Sequence, residues 1–433
     1  MKKLHSLVLI TASLAGSVSP LIAGGYEAKL WNSDSIGEAL AGSSVKEGDI
    51  TTMTRNPASA LGFMTSPYQV AVASTVVLPS IKFKDKGSKV ASGAALTGSN
   101  GGNGGKDAVV PAAYLAWNFN KDVKFGLAIT SPWGLKTDYE EGWKGRYHAL
   151  RSELKTINIM PAVAYKVNEQ FAIGAGVQIQ YMDVRLSRAI DFGSFFGASQ
   201  AYDGGVKLKG DKWSYGWNVG LAYRLLKNVR LGLNYTSQVH HKLTGKANFE
   251  KPAAIAPYLN APRFNNQGIK ADVKTPERVI LGAAWDFHPQ MTLLGEVNYT
   301  QWKRMKEINV RFDTPGVVPD ITPMKWRNTV SYHLGLNWRP SEEWTFRTGY
   351  AFDPSAVRDD HRTPAVPDQE RHWAALGATW TPTEAKDVSF SINYAHEFVR
   401  KAKSKLNDAS RGNLVGSYKT SVDLVSAQIK WRF

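Results

Sequence analysis

The chain of 433 residues contains no cysteine. That excludes a disulfide framework, thiolate catalysis and cysteine-ligated zinc. It also lacks any uninterrupted apolar run near the roughly 20 residues a spanning helix needs, so a helical membrane protein is excluded. The 9 histidines, His240-His241 among them, have no metal-ligand spacing, and nothing calls for a cofactor or a metal. Acidic residues are few, 37 against 53 basic for a net charge of +16. The basic residues form neither a helical stripe nor an RNA-binding motif, so nucleic acid is not indicated as a partner. What the chain does have is aromatic residues, with 14 Trp, 17 Tyr and 17 Phe, too many for a disordered chain.

Residues 1–23 read as an export signal. Lys2 and Lys3 precede a short apolar core, Leu7 to Ala15, and Leu21-Ile22-Ala23 ends on a small residue. This is the three-part pattern of a secretory leader, and its core is too short to span a bilayer.

Beyond it the period is two. In the last segment Val425, Ala427, Ile429, Trp431 and Phe433 alternate with Ser426, Gln428, Lys430 and Arg432. Trp213 to Leu225, Phe171 to Tyr181 and Val330 to Trp338 repeat the pattern, which is that of strands. Fourteen such segments can be placed, from Tyr68–Val76 to Val425–Phe433, and even strand numbers are what bacterial outer-membrane barrels have. Asn120-Lys121-Asp122, Asn168-Glu169-Gln170, Lys227-Asn228 and His288-Pro289-Gln290 are short connections that alternate with long ones such as Lys82 to Pro111. Short turns on one rim and long loops on the other are the outer-membrane asymmetry, and a soluble sandwich has no reason to keep it. The expected fold is all-β: a 14-stranded antiparallel transmembrane barrel over residues 66–433, monomeric, in the outer membrane of a Gram-negative bacterium. Its polar faces line the lumen, its apolar faces meet lipid, and basic loops are drawn to phosphate-rich lipopolysaccharide. Terminal Phe433 reads as the signal for the barrel assembly machinery.

Residues 24–65 do not alternate. Asp34, Asp49 and Asn56-Pro57 are cap or turn signals, and Ala39, Leu40, Ala41, Leu61 and Phe63 offer modest apolar surface. The segment could hang in the periplasm, but this surface suits short helices packed against a wall better than an independent domain, so a partly helical hatch in the lumen is expected.

The order of these features resembles the FadL family of outer-membrane transporters for long-chain fatty acids, which includes TodX-like channels for aromatic hydrocarbons. Asn56-Pro57-Ala58 is similar to the family's hatch motif, and Ser131 to Leu135 is similar to the end of the third strand, where family members kink. Trp344 to Asp353 and Val366 to Trp373 are similar to segments around strands 11 and 12. The resemblance implies passive uptake of hydrophobic molecules, without catalysis. They would be captured at outer loops and leave sideways through a gap at Trp133-Gly134, with Asn56, Pro57 and Ala58 beside it. It also implies that Arg188, late in the fifth strand, meets the ligand carboxylate. The family's partnering lysine has no match: the aligned position is Asn309, with Lys306 and Arg311 near it.

Pro132 removes a ladder donor and Gly134 tolerates unusual dihedrals, which suits a broken strand. Phe192, Phe195 and Phe196 form an aromatic cluster in the loop after the fifth strand, either a docking groove for apolar solutes or packing under neighbouring loops. Pro252 to Leu259 has the same two readings. Gly101 to Lys106 reads as a flexible surface loop. Four rival functions stay open on the sequence: an aromatic hydrocarbon channel, a general porin, an outer-membrane lipase using Ser331 and His333, and a surface adhesin.

Overall fold

The computed structural model describes residues 25–433. The export signal expected over residues 1–23 lies outside the described residues.

Fourteen strands follow one another around a closed ring. They are β1 (Tyr68–Asp85), β2 (Ala108–Asn118), β3 (Val123–Thr130 and Gly134–Asp138), β4 (Arg151–Lys166) and β5 (Phe171–Asp191). Then come β6 (Asp203–Leu226), β7 (Val229–Thr236 and Val239–Glu250), β8 (Gln267–Thr275 and Arg278–His288) and β9 (Met291–Thr300 and Glu307–Phe312). The ring is completed by β10 (Asp320–Pro323 and Thr329–Trp338), β11 (Trp344–Asp353), β12 (Arg371–Trp380), β13 (Val388–Val399 and Ala402–Asp408) and β14 (Gly412–Arg432). Each pairs antiparallel with its neighbour, and β14 closes on β1 from Gln69 opposite Arg432 to Asp85 opposite Gly416. Closure leaves no unpaired edge in lipid. Tyr68 and Phe433 complete it: each backbone N–H donates to the other's carbonyl, at 2.7 and 3.0 Å, and their rings stack.

The alternation decides which way each side chain points. On β6 Trp213, Trp217 and Leu221 are exposed to the lipid side, while Ser214, Asn218 and Ala222 are buried inward. Six strands carry a break, and several breaks reverse the parity. In β7 Asn234 and Thr236 face inward before the break at Ser237-Gln238, and Val239, His241 and Leu243 face inward after it. A strict two-residue period therefore ends at the break, where the sequence pattern also stopped. Above it the inner wall turns apolar.

Residues 25–65 lie inside the ring. Helix α1 (Ser33–Gly37) is capped by Asn32, whose Oδ1 accepts from the Ser35 N–H at 2.7 Å. Helix α2 (Pro57–Gly62) is capped by Asn56, whose Oδ1 accepts from Ala58 and Ser59, with Pro57 at the first position where its missing N–H costs nothing. Ile36 and Leu40 pack with Trp373, Ala395 and Val422, and Ile50, Met53 and Leu61 pack with Tyr114, Ala128 and Met160. Charged pairs tie the segment to the wall: Lys29 to Asp353 at 2.7 Å, Arg55 to Glu296 at 3.1 Å, and Lys430 to Asp34 and Asp49 at 2.8 and 3.1 Å. Removing one partner of such a buried pair costs about 3–5 kcal/mol, because the other charge is left uncompensated.

Two wall glycines admit α2. A Cβ on Gly174 of β5 would lie 2.5 Å from the Ala58 backbone nitrogen, and one on Gly220 of β6 would overlap the Asn56 side chain. The Asn56 Nδ2 donates to the carbonyls of Ser44 and Leu221 at 2.8 and 2.9 Å. Asn56-Pro57-Ala58 thus rests on β5 and β6, not beside the break in β3 as the sequence suggested. The cap fixes the helix start, and the glycine notch fixes where on the wall it lands.

Ser331 and His333 do meet, with His333 Nε2 2.9 Å from the serine hydroxyl. The His333 Nδ1 donates to the Ala39 carbonyl at 2.8 Å, and both residues are buried beneath residues 25–65. Asn298 Nδ2 also lies 3.1 Å from His333 Nε2, and among the described residues no carboxylate bonds the imidazole. The pair is a fastening for the lumenal segment.

A broken strand and an amphipathic cavity

β3 breaks at Ser131-Pro132-Trp133. Thr130 pairs with Asn158 of β4, and Gly134 pairs with Lys155. Three residues on β3 thus oppose two on β4, a one-residue bulge that bends the strand. The Thr156 hydroxyl holds the bend, donating to the Trp133 carbonyl at 2.7 Å and accepting from the Trp133 N–H at 3.0 Å. Gly134 is already back in the ladder, so the break lies just before it.

On the other side the wall is incomplete. β2 pairs with β3 only from Ala113–Ile129 to Asn118–Lys124. Among the described residues no ladder joins residues 108–112 of β2 to the second half of β3. That half turns instead to the start of the lumenal segment: Gly134 donates to the Tyr26 carbonyl and Ala28 donates to the Pro132 carbonyl, both at 2.9 Å. The residues that meet the break are therefore Tyr26 to Ala28, for which the sequence carried no motif. Above the gap lies the glycine run. Gly104 donates to the Ile81 carbonyl and accepts from Asp138, both at 2.9 Å, while the Asn103 side chain takes the Ile81 N–H at 2.8 Å. The run expected to be a flexible surface loop is a filler between β1 and β3, and its glycines allow the close approach to Pro79.

Above the lumenal segment three spaces follow in series. The outermost is a groove of about 750 Å³ lined by Phe195, Phe249, Phe264, Phe312 and the turn Pro315 to Pro319. Of the sequence-selected cluster, Phe195 lines it. Phe192 is fully buried and packs on Phe264, Ile255 and Leu259, so it anchors the loop and offers no ligand surface. Phe196 leans towards Tyr258 outside the groove. Of the two readings of this cluster, Phe192 takes the packing one, burying its apolar ring away from water, while Phe196 stays exposed outside the groove.

Below the groove is a neck of about 140 Å³. Arg188, Asp320 and Arg411 line both spaces. Arg188 faces inward from β5, and its Nη2 donates to Asp320 Oδ2 at 3.0 Å. Arg411, from the turn into β14, donates to the other oxygen of Asp320 and also reaches Thr322 Oγ1 at 3.3 Å. Two guanidinium groups therefore converge on one carboxylate, the arrangement that recognises such groups best. Asn309 and Arg311 point away: Asn309 bonds Glu307 at 3.0 Å, and Arg311 pairs with Asp272 at 2.6 Å. The second cation is Arg411, which nothing in its local sequence distinguishes.

His148 completes the neck. Its Nε2 is buried without a partner among the described residues. Burial, then the charges of Arg411 and Arg188, push its imidazole down to about 3. It stays neutral at ordinary pH. The unfolded chain binds a proton there below about pH 6.5, whereas the folded chain does so only near pH 3, so stability must fall as pH falls between them. The expected loss is at most about 1.4 kcal/mol per pH unit. Thermal melts in detergent at pH 7 and pH 4 check it: His148→Gln should flatten the pH dependence, and an unchanged slope would remove this histidine as its source.

The deepest space is apolar, lined by Leu154, Leu186, Leu208, Leu243, Val273 and Met324. Leu186, Leu208 and Ile308 line both it and the neck. Its floor is aromatic. Tyr26 lies with Trp133, Trp302 and Trp326 at centroid distances of 5.5, 5.1 and 5.8 Å. Tyr26 and Trp326 line the cavity, and Tyr26 packs in turn on Trp133 at the break in β3. The neck is thus charged, the space below it apolar, and the aromatic end of that space adjoins the break in β3.

Residues 14–433 match the family model described as outer membrane protein transport protein (OMPP1/FadL/TodX). The long-chain fatty acid transport protein of Escherichia coli O6:H1 is 26% identical over 400 residues, covering 86% of each chain. The 47 kDa outer membrane protein of Pasteurella multocida is 26% identical over 442 residues, covering 98% of each. Among solved structures, a FadL homologue of Pseudomonas aeruginosa superposes with a TM-score of 0.89 at 22% identity, over 94% of this chain and 100% of that one. The toluene transporter TodX of Pseudomonas putida superposes at 0.69 with 17% identity, over 95% and 99%.

Proposed function

From the premise that the chain belongs to the OMPP1/FadL/TodX family of outer-membrane transport proteins, we propose that it carries long-chain fatty acids passively across the outer membrane and releases them sideways through the break in β3. Membership makes it a transporter of hydrophobic compounds and not an enzyme. The observation that carries the finer reading is the neck, where Arg188 and Arg411 sit directly above an apolar cavity. A neutral hydrocarbon has no use for two arginines, and a fatty acid has a use for both halves.

The outer groove, with Phe195, gathers the ligand. Arg188 and Arg411 then take its carboxylate in exchange for Asp320. The tail displaces Tyr26 from Trp133, and the molecule slips between β2 and β3 into the bilayer. This route spares it periplasmic water, which costs about 0.8 kcal/mol per exposed methylene. Residues 1–23 are an export signal removed on secretion, residues 24–65 are a hatch, and residues 66–433 are the barrel. The chain acts as a monomer, and Phe433 presents it to the barrel assembly machinery.

The test is uptake in a Gram-negative host that lacks its own fatty acid channel. Labelled oleate should enter only when the protein is present, and small sugars should not swell liposomes that contain it. Toluene entry without oleate entry would favour the hydrocarbon reading, which the aromatic rings of Tyr26 and Trp326 at the cavity support. Sugar permeation would leave a general porin.

A further inference from the structure

We propose that the outer face of β13, β14 and β1 binds the phosphate groups of lipopolysaccharide through a lysine patch. Five lysines point outward there. Lys82 stands directly opposite Lys419, while Lys84 and Lys403 stand opposite Ser417 from its two sides. Lys405 lies two residues beyond Lys403 on the same face. All five are exposed, and none has an ion-pair partner among the described residues. Neighbouring strands are about 4.8 Å apart and same-face residues about 7 Å apart, so five positive charges share a small area.

Like charges placed opposite each other destabilise a ladder. Elsewhere facing cations mostly have carboxylates beside them: Arg224 and Arg230 pair with Glu47 and Asp286, and Lys270 and Arg311 with Asp313 and Asp272, although Lys209 opposite Lys246 has none among the described residues. At the patch the compensating charge has to come from outside. The Ser417 hydroxyl, between Lys84 and Lys403, is buried without a hydrogen-bond partner among the described residues, which leaves a donor for an incoming oxygen.

Height identifies the anion. The outward positions of β1 from Val70 to Leu78 are apolar or small, a band of about 20 Å on a tilted strand. Lys82 stands about 10 Å above Leu78 by the same geometry, at the long-loop rim, beyond the hydrocarbon. The lipid of that leaflet is lipopolysaccharide, whose phosphates lie just above its acyl chains. Phosphate on clustered ammonium groups is a charge-assisted pairing that salt weakens.

The experiment uses the full mature protein in detergent and a variant carrying Lys82→Ser, Lys84→Ser, Lys403→Ser, Lys405→Ser and Lys419→Ser. Thermal stabilisation is titrated with diphosphoryl lipid A, dephosphorylated lipid A and phosphatidylglycerol. The unmodified protein should respond to diphosphoryl lipid A at a concentration about tenfold or more below the other two, given roughly comparable contributions from each lysine, and salt should erase the difference. Without lipid the variant should melt no earlier, since repulsion has been removed, and with lipid it should lose the preference. Oleate uptake should be unchanged, which separates this surface from the transport path. A variant that keeps the preference, or a parent that responds equally to dephosphorylated lipid A, overturns the proposal. The pair Lys82→Ser and Lys419→Ser alone, expected to lose most of the preference, serves if the fivefold variant does not assemble.

Discussion

Deleting Pro132 is expected to cut fatty acid uptake by about tenfold or more, while the protein still assembles as a heat-modifiable barrel. The reason is register. Thr130 and Gly134 are separated by three residues, and their partners Asn158 and Lys155 by two. Removing one residue makes the counts equal. It also removes the one residue of the three that cannot donate to a ladder. Parity is preserved, with Thr130 and Leu135 both still facing inward. A continuous β3 can then extend its pairing with β2 along residues 108–112 and seal the wall. A ligand forced straight down must pass through water, and exposing two methylenes already costs about 1.6 kcal/mol, a factor of about ten. A companion variant separates the routes. A Cβ built on Gly335 lies 3.0 Å from the Ala41 Cβ, close to disulfide geometry, and the chain has no other cysteine to interfere. Ala41→Cys with Gly335→Cys should pin the hatch to β10 and leave uptake within about twofold, since only Tyr26 to Ala28 need move for a side exit. Uptake that survives the Pro132 deletion but is lost on cross-linking, and restored by reductant, would reverse the assignment and make the route axial.

The double change Arg188→Gln and Arg411→Gln is expected to weaken long-chain fatty acid binding by about 10- to 100-fold, the worth of one hydrogen bond to a charged group. Toluene binding should not move. Asp320→Asn should act in the opposite sense and strengthen fatty acid binding, because it removes the charge that now occupies both arginines. The fluorescence of Trp326, which lines the cavity, and of Trp302 packed on it offers a direct readout. Equal losses for acid and hydrocarbon would make the arginines structural. An unchanged affinity for the acid would place its head elsewhere.

The barrel was legible because its causes are local. A strand that separates lipid from lumen must alternate, a turn of three polar residues must be short, and the last residue of a closed ring must pair with the first strand. Those demands fall on neighbours in sequence, so Val425 to Phe433 or Trp213 to Leu225 declare themselves without help. The caps at Asp49 and Asn56 were readable for the same reason, whereas α1 is capped by Asn32 and the expected Asp34 lies in its first turn. Pro132 likewise marked a broken strand before any partner was known.

What the sequence could not state is which distant groups share a cavity. Arg188, on β5, and Arg411, in the turn into β14, lie far apart in the chain and meet through Asp320 of β10, which stands between them. Tyr26 and Ala28 meet the break in β3 through backbone hydrogen bonds with Gly134 and Pro132 at its two ends, which need no motif on either side. Phe192 and Phe195 look alike in sequence, and only the packing of Phe264, Ile255 and Leu259 buries the one and exposes the other. Alternation and caps are short-range and leave a periodic trace. The neck, the gap and the hatch contacts depend on three-dimensional closure, which brings together residues that no spacing along the chain connects.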